Sequence, residues 1–180
     1  TRLPLVYVSV ACRGGLLAEP DAQSGITRLM SELLVRGAAD RPAAEIARQI
    51  ESMGAELNPF SGQNSFGLSG YCRRENLDEF LDLLADCLLR PSFDAVEVDK
   101  QIQVQLAALA ELMEQPMAIA QQQLLAALFP NHPYRWNVLG RPESVKTLKP
   151  ADLQRHHRRL VVDGNLVISL FGDLPPNTAL

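Results

Sequence analysis

The chain has few of the residues that most readily carry chemistry: three histidines, three cysteines and one tryptophan in 180 residues. Cys12, Cys72 and Cys87 are odd in number and form no C-x-x-C pair, so neither a disulfide scaffold nor a zinc knuckle is indicated, and buried free thiols are expected. His156 and His157 are adjacent, and on a helix their side chains diverge by about 100°, so they cannot join His132 around one ion. They read as part of a solvated helix end from Arg155 to Arg159, and His132, in Asn-His-Pro-Tyr, as a turn residue. No G-x-S-x-G elbow occurs, and neither Gly14-Gly15 nor Gly140-Arg141-Pro142 continues into a phosphate-loop pattern. Charge of one sign is missing too: 17 basic and 21 acidic residues are interspersed for a net charge of −4, which argues against nucleic acid and acidic lipid as partners. The longest apolar runs, such as Leu5 to Cys12, have strand length and fall far short of the ~20 residues of a membrane span.

What the chain does have is a core. With 47% apolar residues it can bury roughly 70% of its unfolded surface in one body, so residues 1–180 are expected to form a single domain. Its first residue is Thr1, and Leu3-Pro4-Leu5 runs straight toward a strand without a leader pattern, so the chain reads as a fragment of a longer polypeptide.

The periodicities can be followed in order. Leu5 to Cys12 is apolar on both alternating faces, which predicts a central strand buried on both sides. Ile26, Leu29, Met30, Leu33 and Leu34 make one helix face, with Ser24 placed to cap it and Gly37 to end it. Asp40-Arg41-Pro42 opens a second helix that Gly54 stops. Ala55–Phe60 and Ser65–Arg73 read as paired strands, with Phe66, Leu68, Gly70 and Cys72 on one face. A third helix runs from Leu77 to Pro91, and a longer one from Ser92 or Asp94 to about Glu114, with Val98, Ile102, Leu106, Leu109 and Met113 inward. Pro116 opens another to Phe129, Asn131–Pro142 is a loop, Pro150–Leu160 is helical, Leu166–Phe171 is a strand, and Gly172 begins a tail. The expected class is α+β, a mainly antiparallel sheet with helices packed on one face.

On the Ile26–Gly37 helix, Arg28, Ser31 and Glu32 are spaced i, i+3 and i+4 and project as one cluster. A guanidinium, a hydroxyl and one carboxylate are a poor cage for zinc, which takes three or four His, Cys, Asp or Glu ligands. Arg28 and Glu32 are instead expected to pair one turn apart.

Arg13-Gly14-Gly15-Leu16-Leu17-Ala18-Glu19, followed by Ser24-Gly25-Ile26 and this helix, resembles the first block of the pitrilysin/insulinase family of zinc metallopeptidases. Further similarity lies in Met53–Asn58 with Ser61–Phe66, in Arg90-Pro91-Ser92-Phe93, in Pro130–Tyr134 with Gly140–Val145, and in Asp163–Asp173. In active members the helix carries H-x-x-E-H, whose five positions correspond here to Arg28, Leu29, Met30, Ser31 and Glu32. The third ligand, a glutamate in the long helix, falls near Gln105 and Leu106. The resemblance therefore implies the peptidase-domain fold with no catalytic residue and no metal ligand in this domain.

It further implies a non-catalytic domain that forms chamber wall and supports peptide binding, assembled with a catalytic half that carries the zinc, in the same chain or as a separate subunit. The substrate would be a peptide or an unfolded protein, and the assembly a zinc metalloendopeptidase; separately, the Ala, Arg and Leu bias of the composition suggests a bacterial source, in cytoplasm or periplasm. The alternative is a non-proteolytic structural subunit of the same fold, as in the core proteins of respiratory complexes.

Overall fold

The computed structural model describes residues 4–174. In chain order its elements are β1 (Leu5–Arg13), α1 (Ile26–Leu33), the short strands β2 (Gly37–Ala38) and β3 (Arg41–Pro42), α2 (Ala43–Ser52), β4 (Glu56–Ser61), β5 (Ser65–Arg73), α3 (Leu77–Leu89), α4 (Ala95–Met113), α5 (Pro116–Leu128), α6 (Pro142–Val145), α7 (Pro150–Leu160) and β6 (Leu166–Gly172). The main sheet has the order β4-β5-β1-β6, and each neighbouring pair is antiparallel. The fold is α+β, as the periodicities indicate. Of the expected tail, residues 175–180 lie outside the described residues.

β1 is central, but its two faces differ. Val6, Val8, Val10 and Cys12 are buried with Phe66, Leu68 and Cys72 of the adjoining β5. The opposite face is not buried as expected, because its apolar side chains meet one another across strands instead of meeting a helix. Tyr7 is 40% exposed, stacks on Phe171 at 5.0 Å between ring centroids, and lies 5.6 Å from Tyr71. Such cross-strand aromatic pairs hold register on an otherwise open surface.

The organising helix α1 presents Ile26, Leu29, Met30 and Leu33 to the core, and it also buries Thr27 and Ser31. Burial of those two polar residues follows from position: α1 packs against β4 and β5 and also has α4 and α7 as neighbours, so little of its circumference stays wet. Its start differs from expectation. Gly25 (φ 93) is the N-cap, without a side-chain cap of its own, and Ser24 Oγ is buried with no partner. The capping acceptor comes from farther back: Glu19 receives the N–H groups of Gly25 at 2.7 Å and Thr27 at 2.9 Å. Gly37 lies in β2, beyond the helix end at Leu33.

Asp94, not Ser92, caps α4 by accepting from Val96 N–H at 2.9 Å. Val98, Ile102 and Leu109 are buried, Leu106 is half-buried, and Met113 is exposed because the last turns of α4 run past the core. All three cysteines are free and buried. Burial pushes the Cys12 thiol up to about 11 and the Cys87 thiol up to about 12, so both stay protonated and unreactive at neutral pH.

Candidate functional site

Both flanks of α1 carry polar contacts. On the first, Arg28 Nη2 lies 2.7 Å from Glu32 Oε1, the pair expected from their spacing, at a partly exposed surface. Ser31 points inward and donates from Oγ to the carbonyl of Thr27 at 2.7 Å, the back-bond a helical serine makes when no better acceptor is near. Gln105 reaches α1 from α4. It is buried, and its Nε2 donates to Gly25 O at 3.1 Å and to Leu139 O at 2.8 Å, while Oε1 has no partner. Leu106, next to it, packs against the core.

This amide fastens three segments together: the start of α1, the middle of α4 and the loop before α6. The approach is close enough to require glycine. A Cβ on Gly25 would stand 2.6 Å from Leu139 O and 2.9 Å from Gln105 Nε2, and one on Gly140 would stand 2.3 Å from Ser24 O. Both residues also have positive φ.

On the other flank a hydrogen-bond chain ties α1 to α7. Arg159 lies 3.1 Å from His156 Nδ1, and because a guanidinium can only donate, that nitrogen is the acceptor and the proton sits on Nε2. Nε2–H then donates to Thr27 Oγ1 at 2.9 Å, and Thr27 Oγ1–H donates to Gly15 O at 3.2 Å. Burial first, then the charges of Arg159 and His157, lowers the His156 pKa to about 4, so the ring is neutral. Burial raises the Glu19 pKa to about 7, against the opposing pull of the backbone N–H groups of Gly25 and Thr27.

The expectation of a solvated helix end at Arg155–Arg159 is thus corrected for both histidines. His156 and His157 are buried, pointing to different elements, and His157 Nε2–H donates to Leu88 O at 2.7 Å. The signal was present in the spacing. His156 and His157 stand three and four residues after Leu153, and Leu160 stands seven after, which is one buried helix face. His132 is exposed, and its Nδ1 accepts from Tyr134 N–H at 3.2 Å, which makes it a turn residue.

Residues 3–141 match the model of the insulinase family, peptidase family M16. The chain belongs to that family. A Mycobacterium tuberculosis protein named as an uncharacterised zinc protease is 28% identical over 171 residues, covering 94% of this chain and 38% of that protein. The Helicobacter pylori protein named non-peptidase homolog YmxG is 27% identical over 172 residues, covering 96% of this chain and 40% of its own. A crystal structure described as the peptidase M16 inactive domain from Pseudomonas fluorescens superposes with a TM-score of 0.92 at 25% identity, covering 97% of this chain and 43% of that one. The chain therefore spans about two fifths of the length of these relatives.

Zinc does not fit this M16 domain at α1. A metal needs several strong lone-pair donors, and these positions offer a guanidinium, a hydroxyl turned inward onto a carbonyl, one carboxylate held by the guanidinium and a single free neutral acceptor, Gln105 Oε1, too few for the three or four His, Cys, Asp or Glu ligands zinc takes. Among the described residues no group of three or more His, Cys, Asp or Glu is placed to hold a metal ion. The Arg28–Glu32 pair contributes little to stability: at its exposure an i, i+4 pair is worth ~0.3–0.5 kcal/mol, screened by salt. Arg28→Ala is expected to shift the urea midpoint by no more than that, and a loss above 1 kcal/mol would show a structural role the geometry does not contain.

Proposed function

We propose that this is a non-catalytic domain of an M16 assembly, forming chamber wall and supporting peptide binding beside a half that carries zinc. Arg28, Ser31, Glu32 and Gln105, with Leu106 beside it, occupy the surface where active members hold their metal. The observation that carries the reading is that the polar groups at these positions are engaged with one another or with backbone carbonyls, apart from the neutral acceptor Gln105 Oε1. Arg28 is paired with Glu32, Ser31 is bonded to Thr27 O, and Gln105 is bonded to Gly25 O and Leu139 O. Nothing in that set can activate a water. An arginine–glutamate pair on a chamber wall still presents a donor and an acceptor to an extended peptide, which suits a wall that holds substrate for chemistry performed elsewhere.

The zinc and the water it activates then belong to the partner half. The test mixes the full natural chain with its candidate zinc-carrying partner and follows cleavage of a quenched peptide. Hydrolysis is expected only in the mixture, lost on chelation, with zinc found in the partner. Stoichiometric zinc bound by residues 1–180 themselves, with peptide cleavage lost on chelation, would overturn the proposal. A stable complex without cleavage of any peptide would favour the structural-subunit alternative.

A further inference from the structure

A second feature lies away from α1, where the turn between α3 and α4 faces the end of α7. A cleft of about 520 Å³ opens there. Its exposed edge carries Arg90, Ser92, Gln154 and Arg158, and its floor is Phe93, His157 and Val161. No lining residue is acidic, although the whole chain carries a net charge of −4.

Two observations indicate a built site. Ala39 (φ 50) and Phe93 (φ 47) are the non-glycine residues with positive φ among the described residues, and both line this cleft. Left-handed backbone at such residues is disfavoured and persists only where the surroundings over-determine it, which is common at ligand clamps. Here Ala39 N–H donates to Arg90 O at 2.8 Å, Ser92 N–H donates to Gly37 O at 2.9 Å, and Ala38 bridges Pro91. The second observation concerns the cations. Arg90 is tethered through one guanidinium nitrogen to Asp86, which also holds Arg41, so two guanidinium groups share one carboxylate. Arg158 is exposed and pairs with no carboxylate among the described residues. The edge of the cleft thus carries excess positive charge, on a tethered Arg90 and an exposed Arg158, above an apolar and aromatic floor.

We propose that this cleft binds the free carboxylate end of a peptide whose last side chain is apolar. The guanidinium groups of Arg90 and Arg158 give a carboxylate the planar, charge-assisted hydrogen bonds it accepts best, and Phe93 with Val161 takes the terminal side chain. Ser92 and Gln154 supply donors and an acceptor for the last peptide group. The fixed turn reduces the ordering cost of binding. The inference goes beyond the chamber-wall reading and does not rest on it.

The test titrates the full natural chain with N-acetyl-Ala-Leu as free acid, as the C-terminal amide, and with inorganic phosphate, by calorimetry and by chemical-shift mapping. The free acid is expected to bind saturably with shifts at Phe93 and Val161, and the amide at least about tenfold more weakly, the weight of one charge-assisted pair. Arg158→Gln and Arg90→Gln are each expected to weaken the acid by a similar factor. Because Arg158 is exposed, its variant keeps the wild-type urea midpoint. Equal binding of acid and amide, no saturable binding, shifts confined to other surfaces, or phosphate binding as tightly as the peptide would each overturn the assignment.

Discussion

Gln105→Glu, which puts an acid at one of the two positions where the family resemblance would place a third ligand, is expected to destabilise the domain by about 3–5 kcal/mol at neutral pH, the cost of an uncompensated buried charge. The native amide is buried and points two N–H bonds at two carbonyl oxygens, Gly25 O at 3.1 Å and Leu139 O at 2.8 Å. A carboxylate there has no proton to give, so Leu139 O loses its donor, Gly25 O keeps that of Leu29 N–H, and the negative charge faces two negative dipole ends. Gln105→Met separates these effects. It keeps volume and adds no charge, so its cost is Leu139 O left without a donor, about 1–3 kcal/mol, because Gly25 O still accepts from Leu29 N–H at 3.1 Å. The expected order of urea midpoints at pH 7 is Gln, then Met, then Glu, with Glu recovering as pH falls and its carboxyl gains a proton to donate. A midpoint for Gln105→Glu within 1 kcal/mol of wild type would show that this amide is not what fastens α1, α4 and the Leu139 loop. The variant is not expected to acquire zinc, because Arg28 and Ser31 still supply no ligand.

How far the sequence could be read depended on the range over which each contact acts. The Arg28–Glu32 pair and the buried face of Ile26, Leu29, Met30 and Leu33 are local, set by helical repeat, and both were legible. So were the antiparallel hairpin at Phe66 and Leu68 and the Asp94 cap as one of two choices. Glu19 was not, because a side chain capping a helix six and eight residues later depends on how the intervening turn folds back. The role of Gln105 spans 80 residues to Gly25, and only family resemblance drew attention to its position.

The errors in burial share one cause: solvation was assigned from polarity when packing decided it. Thr27, Ser31, His156 and His157 are polar and buried because α1 lies among β4, β5, α4 and α7, so their polar atoms find partners inside. Met113 is apolar and 65% exposed because α4 outruns the core. The α1 surface was therefore legible in what it lacks, ligands for a metal. Its internal bonding became visible only with the neighbouring elements in place.

That internal bonding makes pH the sharpest probe of the α1–α7 contact. Burial holds the His156 pKa at about 4 in the fold against 6.5 for a solvent-exposed imidazole, so the unfolded chain holds the extra proton between those limits, and stability falls as pH drops from 6.5 to 4. Glu19 titrates at about 7 in the fold against 4.5, so the folded chain holds the extra proton, and stability falls as pH rises from 4.5 to 7. Each effect is worth roughly 3 kcal/mol over its full range, at 1.36 kcal/mol per pKa unit. Between pH 4.5 and 6.5 the two slopes are opposite and nearly equal, so these two groups together leave wild-type stability almost flat there. Single substitutions are expected to uncover each slope. Relative to wild type, His156→Gln should lose stability as pH rises from 4 to 6.5, because the rising histidine contribution is gone. Glu19→Gln, which keeps one oxygen for the α1 N–H groups, should gain stability relative to wild type as pH rises from 4.5 to 7. Urea midpoints measured at half-unit steps from pH 4 to 7.5 on the three proteins give the two difference curves directly. Curves parallel to wild type would mean that neither group is desolvated as the geometry at Gly25, Thr27 and Arg159 requires.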